Sequence, residues 1–166
     1  MRTTPQCSQA IEHAYKAALV FGHPSISSAH LLLGILTVGR GVAKVLCNVG
    51  LTREVIEHWL GTQSLPMEET KAIESMIFGS SALAALSRAE QLRDSGGHHE
   101  KFIGTDHLLL AISYEDEGVA KVFLDAHHVD RNKMRQLLLA RLNNPYPAGV
   151  KELMDNIDRH LNEFGE

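Results

Sequence analysis

No apolar run in these 166 residues approaches the roughly 20 needed to cross a bilayer, and the opening MRTTPQCSQA lacks the hydrophobic segment of a secretory leader. Basic residues give no excess: 16 Lys and Arg stand against 20 Asp and Glu, for a net charge of −4, and they are scattered along the chain. Without a basic cluster to neutralise phosphates, neither nucleic acid nor a membrane surface is an expected partner. Cysteine is scarce as well. Cys7 and Cys47 lack metal-ligand spacing and read as free thiols in or near helices of a cytosolic protein, the expected location. The chain also has no GxxxxGK[ST] loop, so ATP is not an expected cofactor. What remains, 44% hydrophobic and 22% charged residues, is enough for one domain with a sizeable core.

The chain writes one stretch twice. HLLLGILTVGRGVAKVL, beginning at His30, returns as HLLLAISYEDEGVAKVF, beginning at His107. Aligned at an offset of 77, residues 26–46 and 103–123 agree at eleven of 21 positions, including Ile26, His30, Leu31, Leu32, Leu33, Ile35, Gly41 and Val42 with their counterparts. Chance would give one or two matches, so the chain is an internal repeat. Upstream, Ala14, Gly22 and His23 meet Ala89, Gly97 and His98 at an offset of 75; downstream, Ile56 and Trp59 meet Met134 and Leu137 after a one-residue shift.

Periodicity inside each half is helical. Ile11, Ala14, Tyr15, Ala18 and Leu19 recur at three and four, as do Leu83, Leu86, Ala89 and Leu92. Thr4 followed by Pro5 predicts an N-cap and first turn, with the first helices ending near Gly22 and Gly96. Ser28 and Thr105 are expected to cap second helices that are too uniformly apolar for a surface, with Leu31, Leu32, Ile35, Leu108, Leu109 and Ile112 in the core. Gly41 and Gly118 punctuate before short third helices, and Thr52 and Asp130 cap fourth ones. Residues 61–79 join the halves, and no segment reads as a strand. After NNPYPAG, a last amphipathic helix carries Val150, Leu153, Ile157, Leu161 and Phe164 on one stripe.

Catalytic readings find little support. His98, His99, His127 and His128 form two adjacent-residue pairs in expected loops, with no HExxH and no cysteine partner, so no metal site is expected. His30 and His107 sit where ring nitrogens satisfy backbone groups at the start of a buried helix. Ser27 and Ser28 lie near His30 but lack a GxSxG elbow, and capping accounts for them. Glu68 and Glu69, and Asp116 and Glu117, fall in polar runs and read as solvated acids.

Taken together, an Ala-rich first helix, a Gly-His pair, a hydroxyl residue shortly before HLLLGIL or HLLLAI, and a GVAKV segment, all duplicated, resemble the N-terminal domain of the Clp (Hsp100) protein-unfolding ATPases over about residues 3–142. The resemblance implies an all-α fold: two pseudo-twofold-related four-helix repeats at about 3–60 and 80–142 within a domain spanning 1–142, followed by a linker and C-terminal helix at 143–166. It implies a non-catalytic module that brings adaptor proteins and unfolding substrates to a Clp ATPase, or alternatively a free-standing accessory protein that docks on and regulates such an assembly. LMDNIDRHLNEFGE is similar to the stretch that leads into the first nucleotide-binding module of those ATPases. Some members have, in each repeat, an acidic pocket for phosphorylated arginine. By resemblance its acid positions are Ala29 and Asp106, and its hydroxyls Thr4 and Ser80 or Ser81. Ala29 cannot supply the carboxylate that a guanidinium pairs with, so only the second pocket keeps its acid. Asp106 read more simply is an acid favoured at a helix N-terminus.

Overall fold

The structure, a computed structural model, describes residues 2–39, 41–63, 65, 68–95 and 102–143. The first half holds α1 (Pro5–Val20), α2 (Ser28–Val38), α3 (Gly41–Asn48) and α4 (Arg53–Thr62). The second repeats it with α5 (Ser80–Ser95), α6 (Thr105–Ser113), α7 (Val119–Ala126) and α8 (Arg131–Asn143). This is the expected pair of four-helix repeats. The final helix expected beyond Asn143 lies outside the described residues.

Local chemistry accounts for most boundaries. Thr4 Oγ1 accepts from the Cys7 N–H at 3.2 Å, and Pro5 supplies a first residue that has no N–H to satisfy. Gly22 closes α1 with φ +68° while the His23 N–H reaches back to the Ala18 carbonyl, a Schellman-type end. Thr52 and Asp130 cap α4 and α8 as expected. The second helices start one residue before the expected caps. Ser27 and Gly104, not Ser28 and Thr105, are the N-cap residues, and the ring Nδ1 of His30 and His107 accepts from the Ser27 and Gly104 N–H groups at 2.9 and 3.0 Å. A histidine at the third helical position thus does what glutamate does in an ordinary capping box, which moves the boundary.

α2 is the centre of the molecule. Every residue from Ser28 to Leu36 is buried, and the helix packs against α1, α3, α4, α5, α6 and α7. Leu31, Leu32, Ile35, Leu108, Leu109 and Ile112 are all in the core. Leu19, placed on the α1 stripe by its spacing, is instead exposed.

The connector differs from expectation, because it contains an antiparallel hairpin, β1 (Thr70–Ile73) with β2 (Met76–Gly79). Its two-residue turn places Glu74 and Ser75 at φ 50° and 70°, the left-handed region usually taken by Asn and Gly. Strands of four residues, mostly exposed and joined without those turn residues, leave no periodic signal. The end of the hairpin does more than connect. Ile26 donates to the Ile77 carbonyl and accepts from the Gly79 N–H, both at 2.8 Å; reciprocally, Ile103 donates to the Arg2 carbonyl at 2.8 Å and accepts from the Thr4 N–H at 2.9 Å. Since Ile26 and Ile103 are counterparts, each half is bonded to the lead-in of the other, and the pseudo-twofold is built from exchanged segments.

Candidate functional site

Exchange between the halves also redistributes the residues singled out in the sequence. Thr4 pairs with Ile103 and its methyl faces the Gly104 backbone, so this first-half hydroxyl residue lies beside α6. Ser81 is buried, and its Oγ accepts from the Ser28 N–H at 3.1 Å, which places it beside α2 and the fully buried Ala29. Ser80, the first residue of α5, is exposed. Asp106 is not simply an acid at a helix start: its Oδ1 accepts from Arg141 Nε at 3.1 Å, across from α8. That guanidinium also covers Gly41, where a Cβ would come within 2.7 Å of Nη2. Gly118 is constrained likewise, since a Cβ there would overlap the Glu115 carboxylate.

Burial rules out Ser27 and Ser28 as nucleophiles. Ser27 Oγ lies 2.8 Å from His30 Nδ1, yet both residues are sealed in the core, out of reach of substrate. His30 Nε2 continues to His23 Nδ1 at 2.8 Å. Because Nδ1 of His30 accepts from a backbone N–H, its proton sits on Nε2 and His23 Nδ1 is the acceptor. Burial pulls His30 down to about 3, helped by the neighbouring His23, and pulls His23 below its ordinary value against a hydrogen bond to the Gln63 backbone. His127 Nδ1 meets the Phe123 carbonyl at 3.0 Å, while His98 and His99 lie outside the described residues. Among the described residues, no three His, Cys, Asp or Glu side chains are grouped to hold a metal ion.

Between the halves lies a polar seam that periodicity did not reveal. Ser28 Oγ accepts from the Ala120 N–H at 2.9 Å, and the Ser81 N–H donates to Glu68 Oε1 at 3.1 Å. Glu115, only 2% exposed, takes the Lys121 N–H on Oε2 at 2.9 Å, while Oε1 has no hydrogen-bond partner among the described residues. Burial pushes this carboxyl up, opposed by the Ser28 hydroxyl, the Lys121 N–H and Arg88, and reinforced by Glu68. Glu69, Asp116 and Glu117 are exposed, as solvated acids should be, but Glu68 caps α5 from the connector and is half-buried. Glu115 escaped notice because it stands in an acidic run, and its counterpart is the apolar Val38.

Two surface cavities flank this framework. One of about 200 Å³ lies between α1, α2 and α4, where Lys16, Arg53 and Glu57 meet Val20, Phe21 and Leu33. The other, of about 240 Å³, opens where the halves meet and is lined by the apolar Trp59, Leu65, Val119 and Val122, by Gly118, and by the polar Gln63 and Glu68.

Comparison with known proteins identifies the fold. The family described as Clp repeat (R) N-terminal domain matches residues 2–127. A probable ATP-dependent Clp protease ATP-binding subunit from Chlamydia pneumoniae is 30% identical over 149 residues, covering 84% of this chain and 16% of that protein. The negative regulator of genetic competence ClpC/MecB of Bacillus subtilis (strain 168) is 31% identical over 144 residues, covering 86% and 17%. This chain therefore spans under a fifth of the length of the curated relatives it matches. Among solved structures, the N-terminal domain of the chaperone ClpD from Arabidopsis thaliana superposes with a TM-score of 0.70 at 21% identity, covering 86% of this chain and 96% of that one. The Hsp104 N-terminal domain from Candida albicans gives 0.65 at 13%, covering 84% and 90%. Both share the fold.

Proposed function

The chain belongs to the Clp N-terminal domain family, and from that premise we propose that it is the adaptor- and substrate-recognition module of a Clp/Hsp100 protein unfoldase–protease system, non-catalytic by itself. The observation that carries this reading is the division between a sealed interior and a featured exterior. The histidines and hydroxyls that could do chemistry, Ser27, His30 and Ser81 among them, are consumed by backbone hydrogen bonds in the core. The groove between the halves offers apolar walls and a carboxylate to a protein partner. Recognition is assigned to residues 1–142, with Thr4 and Asp106 at one end of the exchanged framework and the exposed Ser80 at the other, where the buried Ser81 holds the start of α2 and does not itself face a partner.

An affinity-capture experiment tests this. The chain, immobilised and incubated with cytosol of its source, is expected to retain Clp ATPase or protease subunits, their adaptors, or unfolded substrates, identified by mass spectrometry. Calorimetry is expected to show no saturable ATP binding. Retention of none of these proteins, or saturable ATP binding, would overturn the proposal.

A further inference from the structure

The two ends of the pseudo-twofold are not equivalent. In one, α8 runs to Asn143, and its last turn carries Arg141 across Gly41 to Asp106. In the other, α4 stops at Thr62, and the counterpart of Arg141 is Gln63, the C-cap, already in extended backbone. The missing turn coincides with one open valine on α7, whose Val119, Ala120, Phe123 and Leu124 are buried. Val45 of α3 is 5% exposed, while Val122, which occupies the same position in α7, is 60% exposed. The 240 Å³ groove lies at this place, bordered by Trp59, Gln63 and Gly118.

Charge says what is absent. Glu68 lines the groove, while Glu115 is buried behind Gly118 and does not line it. Among the described residues, no basic side chain lines it. From this pairing of an arginine-covered glycine, Gly41, with an open one, Gly118, in a groove where Glu68 supplies the acid that Ala29, the counterpart of Asp106, does not, we infer that the groove receives an unmodified arginine side chain from an apolar segment of a partner protein. The inference rests on the recognition reading above and names the chemistry of its partner. A guanidinium suits the Glu68 carboxylate and the indole of Trp59, which both line the groove, whereas a phosphoryl group would bring negative charge against Glu68. The chain's own last stretch is a poor occupant on the same ground, since residues 144–166 carry five acids (Glu152, Asp155, Asp158, Glu163, Glu166) against Lys151 and Arg159.

Trp59 is the only tryptophan of the chain, so its fluorescence reports on the groove directly. The probe is a short end-blocked peptide, Ala-Leu-Arg-Leu-Ala, alongside versions carrying citrulline or phosphoarginine instead of arginine. The arginine peptide should change Trp59 emission saturably, and the citrulline peptide should bind about tenfold more weakly, as expected for loss of a charge-assisted hydrogen bond. Phosphoarginine should also weaken binding. Gln63→Arg, which supplies the missing guanidinium in cis, and Val122→Lys, at an exposed position where folding is not at stake, should each weaken binding about tenfold or more. No saturable change, equal or tighter binding of either modified peptide, or unaltered binding by both variants would overturn the inference. Affinity capture separates the two levels. If the parent retains its partners and both variants retain them equally, the groove assignment falls while the recognition reading stands; if the parent retains none, it is the recognition reading that falls.

Discussion

At Gly34 a single missing methyl group decides how closely two helices pack. A Cβ there would overlap the Ala10 carbonyl, and α1 has no side chain to move aside, because the obstacle is backbone. Gly34→Ala should therefore lower stability by about 1–3 kcal/mol in urea unfolding, overriding the roughly 1 kcal/mol that helix propensity favours alanine. Its counterpart Ala111 is accommodated in the core, so the constraint belongs to one half only. The histidine pair gives a second test at this scale. His30 and His23 both titrate below their ordinary value in the folded chain, so below about pH 6.5 the native state binds fewer protons than the unfolded one. Their contribution is present above that pH and is lost as the pH falls toward the folded values. Glu115 works oppositely: its carboxyl is raised, so acidification through its folded value recovers stability. Urea midpoints measured at about pH 7.5 and 5.5 should fall with acid, and less steeply in His30→Gln than in the parent. An identical slope in both would clear the pair of responsibility.

Among the elements, caps with ordinary chemistry were legible. Thr4, Thr52 and Asp130 were readable because a short oxygen-bearing side chain before a periodic run has one common use. α2 starts one residue before the cap its sequence suggests, a difference that arises because histidine is not a usual partner in a capping box. The hairpin is not legible in the sequence because Glu74 and Ser75 lack the signature of a left-handed turn. α8 shows how geometry limits an ion pair. Arg141 and Asp106 are 36% and 25% exposed, so Arg141→Ala should cost less than about 1 kcal/mol in chemical denaturation, even though it uncovers Gly41 and the start of α3. A loss well above that would mean the last turn of α8 carries more of the packing than its exposure indicates.

For the whole molecule, the exchange of lead-in segments makes the halves interdependent. Ile26 needs Ile77 and Gly79, Thr4 needs Ile103, and α2 is buried in part by α5, α6 and α7. A fragment of residues 1–62 should accordingly lack cooperative unfolding and native helicity by circular dichroism, although it contains a full repeat. A fragment that melts cooperatively would show that one half carries its own core. Deleting residues 145–166 should have the opposite outcome: both repeats are complete before that point, so the body should stay folded by circular dichroism and retain its partners. Unfolding or loss of capture would place the last segment in the body or the recognition surface.

The sequence by itself determined the duplication, the helical class and the two buried second helices, because apolar spacing reports local geometry and eleven matched positions report common descent. It also showed that a backbone-satisfying role for His30 and His107 was the economical one, since a polar ring inside an apolar run needs a nearby partner. Only the tertiary structure decided that the halves trade their lead-ins, that Glu68 and Glu115 turn inward, and that Arg141 reaches Asp106. Those outcomes join residues far apart in the chain, such as Ser28 with Ala120, and a carboxylate in a polar run looks the same whether water or a helix N-terminus finally meets it.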